Sequence, residues 1–205
     1  MKLLKTFCMW GLLAAPAHGA LIIGISPTNT NAAAGSSGFF DVTLTNNTAA
    51  TPGIAGFSFS LTSGSANLTF TGATTAVANY IFAGNSFAND FTGGDLRGNP
   101  GFPPTFPASD TTSNGLNRTL AGNSTVGLGR VFFSVAGGAS AGPISVTVAN
   151  TAATSLSDSL GRAVALGTSV NGTVTVTAGA LTPEPGTFGL LLLALPGLAL
   201  LKKRQ

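Results

Sequence analysis

Apolar and polar residues alternate with a period of two along most of the chain between residues 20 and 178, which is typical of β-strands with one buried face. In the segment 40–45, Phe40, Val42 and Leu44 would share a face, with Asp or Thr between them. The opposite faces are rich in Ser and Thr, which indicates sheets that are wet on one side. The same alternation recurs in the segments 57–61, 68–70, 144–148 and 173–177.

The segment 126–135 has a different pattern, because its apolar residues are nearly continuous from Val131 to Val135. Gly127 and Gly129 precede them, and glycines inside a strand often mark a bulge or a bend. We therefore predict a central strand here that is bulged at its glycines.

Short strands are also expected at 21–26, 80–83 and 162–166, separated by turn-forming pairs such as Asn46-Asn47 and Asn171-Gly172. No segment of 20–178 has a convincing helical period. Eight or nine short strands in a domain of roughly 160 residues predict an all-β fold, an antiparallel β-sandwich with its own core.

The segment 84–118 carries little strand pattern and is long for a loop. One interpretation is a ligand-binding loop, in which Phe102 and Phe106 would stack on sugar rings and three carboxylates would bind Ca²⁺. The carboxylates are those of Asp90, Asp95 and Asp110. Their spacing lacks the regularity of a calcium loop, so the favoured interpretation is a self-packed loop that caps one end of the sandwich.

Residues 1–19 have the organisation of a secretory signal peptide. Lys2 and Lys5 form a positive start, and the apolar run 7–15 is too short to span a membrane. Small residues precede the expected cleavage point between Gly19 and Ala20. The alternative is a buried N-terminal helix.

The C-terminal segment 179–205 combines three features in a fixed order. The motif Pro183-Glu184-Pro185 forces extended backbone, a transmembrane helix is predicted over 187–201, and a basic tip follows at 202–205. The apolar run 188–201 would span only roughly 21 Å of the ~30 Å hydrocarbon core, which suits a weak, temporary anchor. The basic residues of the tip, which should stay in the cytoplasm, are Lys202, Lys203 and Arg204.

Together these three features resemble the PEP-CTERM sorting signal of Gram-negative bacteria. The resemblance implies that an exosortase, a membrane-embedded enzyme similar to cysteine proteases, recognises the tail and cleaves near Pro183-Glu184-Pro185. It also implies export, transient anchoring in the inner membrane, and delivery to the cell surface or extracellular matrix, where such proteins usually accompany exopolysaccharide. A plain tail anchor is the alternative.

The β domain more loosely resembles the cohesin-like, jelly-roll domains of PEP-CTERM proteins. The similarity lies in Ile25-Ser26-Pro27 and in the segments 38–42 and 126–131. It supports a cohesin-like β-sandwich more than any function, because one sandwich fold hosts many roles.

Charge and residue chemistry narrow the classes of function. Charged residues make up 7% of the chain, against about 25% in typical proteins. Between residues 20 and 182 four arginines are balanced by five aspartates, so no basic patch is expected to bind nucleic acid. The same stretch has no Cys, His, Lys or Glu, which removes the residues of Ser-His-Asp catalysis and of zinc sites. We expect no enzyme activity and no cofactor, apart from Ca²⁺ if the aspartates converge.

The first hypothesis is therefore a structural protein of the cell surface or matrix. The alternative is a binding module for polysaccharide or a partner protein, through the sandwich face or the segment 84–118. A hydrolase built on two aspartates is the least favoured hypothesis. Asp158 is interpreted as a turn residue rather than a ligand. Five Asn-x-Ser/Thr triplets are interpreted as surface composition, with glycosylation as the alternative; they begin at Asn46, Asn67, Asn117, Asn123 and Asn171.

Overall fold

The structure, a computed structural model, describes residues 21–98, 105–150 and 152–178, which form fourteen strands and one short helix. The strands are β1 (Leu21–Ser26), β2 (Asn29–Ala33), β3 (Ser37–Asn46), β4 (Gly53–Ile54), β5 (Gly56–Ser63), β6 (Leu68–Thr74), β7 (Arg97–Gly98), β8 (Thr105–Thr111), β9 (Arg118–Thr119), β10 (Ser124–Val135), β11 (Gly142–Val148), β12 (Ser155–Ser157), β13 (Ala163–Val164) and β14 (Gly172–Thr177). The helix is α1 (Phe87–Thr92).

The first sheet has four strands in the order β1-β3-β10-β6, and all its pairings are antiparallel. β10 lies between β3 and β6, which confirms the predicted central strand. Its register against β3 shifts between Gly127 and Gly129, at the predicted bulge. A second irregularity lies between Phe132 and Phe133, and it leaves Thr71 of β6 without a residue opposite it.

The second sheet is built around β5, which pairs with β8 along one edge and with β11 and β12 along the other. β7 extends the sheet beyond β8, and β13 extends it beyond β12. β14 pairs with β11 and also, in parallel, with β2, so one parallel pairing accompanies the antiparallel pairings of the predicted sandwich. β4 and β9 form a separate two-stranded ribbon.

The core lies between the inner faces of the two sheets, where the alternation places the apolar side chains. Within the first sheet Phe40 and Phe133 stack with ring centroids 5.8 Å apart. Phe70 of β6 meets Phe106 of β8, also at 5.8 Å, and this contact joins the two sheets. All four side chains are buried, and each contributes about 1.5–3 kcal/mol through the area that it removes from water. Aromatic packing thus holds the sandwich together without a disulfide.

Three predictions that concern the segment 80–118 are wrong. Residues 80–83 form a turn rather than a strand, with one bridge between Tyr80 and Gly127. Residues 84–118 are not a capping loop, since β7 and β8 lie within them and every residue of β8 pairs with β5. α1 also contradicts the prediction that 20–178 has no helix: its N-cap Ser86 accepts a hydrogen bond from the Asn89 N–H, and it ends at a glycine in the left-handed region.

The remaining predictions of strands agree with the structure. β1 occupies the predicted segment 21–26, and β13 lies within 162–166. The strands outnumber the eight or nine predicted because β2 and β8 were not predicted and because four others span only two or three residues, too few to show a period. These four are β4, β7, β9 and β12. The all-β sandwich is therefore confirmed. No helix in the part of the chain that the structure describes is long and apolar enough to cross a membrane.

Candidate functional site

An exposed cluster on the outer face of the first sheet, which we call the aromatic patch, consists of Phe39, Asp41, Arg130 and Phe132. Its position follows from strand alternation, because Phe40 points into the core and its neighbour Phe39 must then point outward. The register of β3 with β10 places Phe39 opposite Phe132 and Asp41 opposite Arg130. Phe39 is 47% exposed and Phe132 is 39% exposed, whereas the outward positions of the sandwich are mostly hydroxyls.

The four side chains of the aromatic patch hold one another in place. The rings of Phe39 and Phe132 meet edge to face, with centroids 6.4 Å apart and planes at 69°. The Arg130 guanidinium carbon lies 4.1 Å from the centroid of the Phe39 ring, a cation–π contact. Arg130 also donates two hydrogen bonds to Asp41, from Nε to Oδ1 at 2.7 Å and from Nη2 to Oδ2 at 3.1 Å. These hydrogen bonds raise the pKa of Arg130 above its ordinary value.

A groove borders the aromatic patch on the side of β6, and we call it the edge groove. Its volume is about 330 Å³. Gly72 lies at an open part of the groove, because a Cβ added at this position would meet no atom within 4 Å. Buried apolar side chains form its floor, and the Asp95 side chain is its charged element. The lining residues are Thr71, Gly72, Ala73, Asp95, Leu96, Phe106 and Phe132.

The outer face of the second sheet is lined by hydroxyls, as the alternation predicts. Neighbouring strands are linked there by Ser58 and Ser155, whose hydroxyl oxygens lie 2.9 Å apart, and by Thr175, which donates to Asn29 at 2.9 Å. Along β5, β8, β11 and β14 this face presents no charged side chain. Its hydroxyl-bearing residues include Ser58, Thr62, Ser109, Thr111, Ser145, Thr147, Thr173 and Thr175.

Asp110, a candidate calcium ligand, is instead a buried structural residue of β8. Its Oδ2 accepts hydrogen bonds from the Tyr80 hydroxyl at 2.5 Å and from the Ser86 hydroxyl at 2.6 Å, and its Oδ1 accepts one from the Ala88 N–H at 2.9 Å. Burial, followed by the hydrogen bond to Asp110 and its negative charge, raises the pKa of Tyr80 well above its ordinary value. The carboxylate therefore fastens the segment 80–88 to the second sheet.

The other predicted ligand residues do not converge. Asp90 is exposed on α1, and Asp95 lines the edge groove. Phe106 is 1% exposed, so its ring packs in the core and cannot stack on a sugar. Phe102 lies outside the described residues. No group of three His, Cys, Asp or Glu side chains that could hold a metal ion occurs within residues 21–98, 105–150 and 152–178.

Asp158 and Asn46 both have structural roles. Asp158 accepts hydrogen bonds from the backbone N–H groups of Leu160 and Arg162 and pairs with the Arg162 side chain, as expected of a turn residue. The Asn46 amide is buried and donates to the carbonyl oxygens of Ala50 and Ala121. The first of the five Asn-x-Ser/Thr triplets therefore cannot carry a glycan in the folded domain.

The motif Pro183-Glu184-Pro185, the basic residues Lys202, Lys203 and Arg204, and the cleavage point at Gly19 and Ala20 all lie outside the described residues. The patch residues Phe39 and Phe132 were not among the predicted site residues. Their signal in the sequence is a pair of adjacent phenylalanines inside each of two strands. A period of two requires that one member of each pair faces outward.

Comparison with solved structures shows that the fold is cohesin-like. No protein-family model matches the chain, and no curated protein matches it. The sixth cohesin of Acetivibrio cellulolyticus scaffoldin B is 15% identical, with a TM-score of 0.56 over 77% of this chain and 99% of that one. A type I cohesin–dockerin complex of Clostridium thermocellum is 16% identical, with a TM-score of 0.54 over 77% of this chain and 98% of that one. A non-cellulosomal cohesin of the archaeon Archaeoglobus fulgidus is 15% identical, with a TM-score of 0.53 over 77% of this chain and 91% of that one. The two sheets thus form a cohesin-like β-sandwich.

Proposed function

We propose that this chain is a protein-binding module displayed outside the cell, and that the aromatic patch contacts its protein partner. The observation that carries the proposal is the exposure of two contacting phenylalanine rings, those of Phe39 and Phe132, beside an Arg–Asp ion pair on the outer face of the first sheet. Aromatic residues and Arg are the types enriched where protein interfaces are most tightly packed. The ion pair also orients the guanidinium in advance, which lowers the entropy cost of binding.

A protein suits this geometry better than a sugar. Sugar rings bind flat against exposed aromatic faces, and successive sugars need faces that lie side by side. Here the Phe39 and Phe132 planes cross at 69°, and Arg130 covers one face of Phe39. Side chains of a protein can pack around such a stepped surface.

The solved relatives support the same class of function. The cohesins from Acetivibrio cellulolyticus and Clostridium thermocellum were solved in complex with dockerins. At 15–16% identity the comparison supports protein binding by this fold but does not name this chain's partner.

The proposal includes export and sorting. We infer that the signal peptide ends between Gly19 and Ala20 and that an exosortase cleaves near Pro183-Glu184-Pro185, after transient anchoring in the inner membrane. These steps would place the β domain on the surface of a Gram-negative cell or in its matrix. A structural role beside exopolysaccharide is a second candidate, since the hydroxyl face of the second sheet is wide and uncharged along four strands.

Site-specific photo-crosslinking in living cells tests the binding role. The variant Phe132→p-benzoylphenylalanine should form a covalent adduct with one protein. The same replacement at Leu160, which is 73% exposed in a turn, is the matched control and should not. Added wild-type chain should compete for the adduct, and the Phe39→Ala chain should compete less well. Adducts of equal yield at both positions, or adducts with polysaccharide only, would reject the proposal.

Intact-mass measurement tests the sorting role. Surface-exposed protein should begin at Ala20 and lack everything beyond the Pro183-Glu184-Pro185 region. The variant Glu184→Ala should accumulate in the membrane with its tail intact. A wild-type surface protein that retains Gln205 would show that no exosortase processes this chain.

A further inference from the structure

The first sheet has two edge strands, β1 and β6. The edge of β1 is covered by another segment of the chain, whereas most of the edge of β6 is open. The backbone of β1 is bonded by the segment 166–170, for example from the Gly167 N–H to the Leu21 carbonyl oxygen. The segment 94–96 covers β6 only at its end, where the Leu96 N–H bonds the Ala73 carbonyl oxygen. Among the described residues no strand pairs with the outer side of β6 from residue 68 to 72. An unpaired strand edge is a template for another extended chain.

The edge groove lies where the segment 94–96 begins to cover β6. A peptide strand added along the open part of β6 would therefore reach the groove. The register irregularity at Phe132 and Phe133 removes Thr71 from regular pairing, and Gly72 contributes no side chain. The resulting space has an apolar floor of Ala73, Leu96 and Phe106. An apolar side chain of a partner would replace water there.

The negative charge of Asp95 in the edge groove indicates that the bound segment carries a basic residue. The Asp95 side chain is exposed in the lining, and no described side chain forms an ion pair with it. A basic side chain on the bound segment would complement this carboxylate. Residues i and i+2 of an extended chain share a face, so the basic residue should stand two positions from the apolar one.

We infer that β6 and the edge groove bind an extended peptide segment of the partner by β-strand addition, with one apolar residue in the groove and a Lys or Arg two positions away facing Asp95. This inference rests on the proposed protein-binding function, and it deepens it. Phe132 lines the groove and belongs to the aromatic patch, so the two surfaces are continuous. Backbone hydrogen bonds would supply affinity, and the groove would supply specificity.

Selection of a random-sequence peptide display library on the purified full-length chain tests the inference. Enriched peptides should share the spacing of one apolar and one basic residue. Binding of a synthetic consensus peptide should slow hydrogen exchange of the backbone amides in 68–72. The variant Gly72→Leu, whose Cβ would meet no atom within 4 Å, places a side chain in the groove and should weaken binding at least about tenfold. Gly138→Leu, at an equally open glycine outside the groove, should keep the affinity within about twofold.

The outcomes separate this inference from the proposed function. No shared peptide pattern, or an affinity that Gly72→Leu leaves within about twofold, overturns strand addition. If the crosslink at Phe132 then persists in the Gly72→Leu chain, the protein-binding function survives without it. Asp95→Asn should weaken peptide binding and reduce its dependence on salt, and an unchanged salt dependence would overturn the assignment of the basic residue.

Discussion

Alkaline pH should destabilise this domain through a single phenol. Tyr80 is the only tyrosine of the chain, it is 8% exposed, and its hydroxyl donates to the buried carboxylate of Asp110. An ordinary tyrosine has a pKa of about 10. Burial and the neighbouring carboxylate raise the pKa of Tyr80 well above that value in the folded state, because a phenolate there would be desolvated and would face a like charge.

The sign and size of the effect follow from proton linkage. The folded state keeps the Tyr80 proton above pH 10, whereas the unfolded state releases it, so the stability is complete below about pH 10 and falls as the pH rises. The loss approaches about 1.4 kcal/mol for each pH unit above pH 10 and totals about 2.7 kcal/mol at pH 12 relative to neutral pH. The stretch 20–182 contains no Lys or Cys to titrate beside it. Against a typical total of 5–15 kcal/mol, this loss is large.

Urea denaturation across the alkaline range measures the loss, and ultraviolet absorbance reports the phenolate. Ionisation should coincide with unfolding rather than precede it. The control Tyr80→Phe keeps the edge-to-face contacts with Phe57 and Phe82, should cost about 1.5–3 kcal/mol at neutral pH, and should show no alkaline slope. A phenolate that forms near pH 10 while the domain stays folded would refute the assigned hydrogen bond and burial.

Three further predictions test the packing and the turn. Phe133→Ala should cost about 3–5 kcal/mol in urea denaturation, because its ring is fully buried. The adjacent Phe132→Ala should cost less than about 2 kcal/mol, because its ring is 39% exposed; equal losses would contradict the assignment of inner and outer faces. Gly127→Ala should cost about 1–3 kcal/mol, since its Cβ would lie 2.7 Å from a backbone carbonyl oxygen, and a neutral result would place the bulge elsewhere. In NMR titration the pKa of Asp158 should lie below its usual range and rise in Arg162→Met, because hydrogen bonds from Arg162 lower it.

The strands that the sequence predicted well are those in which at least two consecutive inner positions are apolar. β3, β5, β11 and β14 show this alternation, and burial of one face then determines which residues point inward. The bulge of β10 was also predictable, because two glycines interrupt an otherwise apolar strand. In these segments local pattern and tertiary packing agree, and no long-range information is needed.

β8 shows why other elements escaped prediction. Its inward positions are Phe106, Ala108 and Asp110, so a carboxylate stands where the pattern requires an apolar residue. Pro107 lies between them on the outer face, and proline argues against a paired strand. The three hydrogen-bond donors that stabilise the buried Asp110 carboxylate come from the segment 80–88. The sequence around β8 gives no sign of these distant donors.

The aromatic patch lay beyond prediction for a similar reason. The pairs of adjacent phenylalanines indicate that one ring of each faces outward, but only the register of β3 with β10 brings Phe39 and Phe132 together. A shift of one residue in this register would turn one strand over relative to the other, so Phe39 and Phe132 would no longer share a face. Register is decided by the whole core, so the site becomes visible only after the sandwich is built.

Folding does not explain why this patch is aromatic. The edge-to-face contact and the cation–π contact contribute on the order of 0.5–1.5 kcal/mol each. Most other outward positions of the sandwich are occupied by Thr or Ser, so the fold does not require aromatic residues there. Two exposed phenylalanines side by side also raise the risk of aggregation, a cost that a module with few charges cannot easily offset. One of the two arginine–aspartate pairs in the described residues nevertheless lies beside them and fixes their orientation. Such an arrangement is expected where a partner covers the rings, and that is why we place the binding surface there.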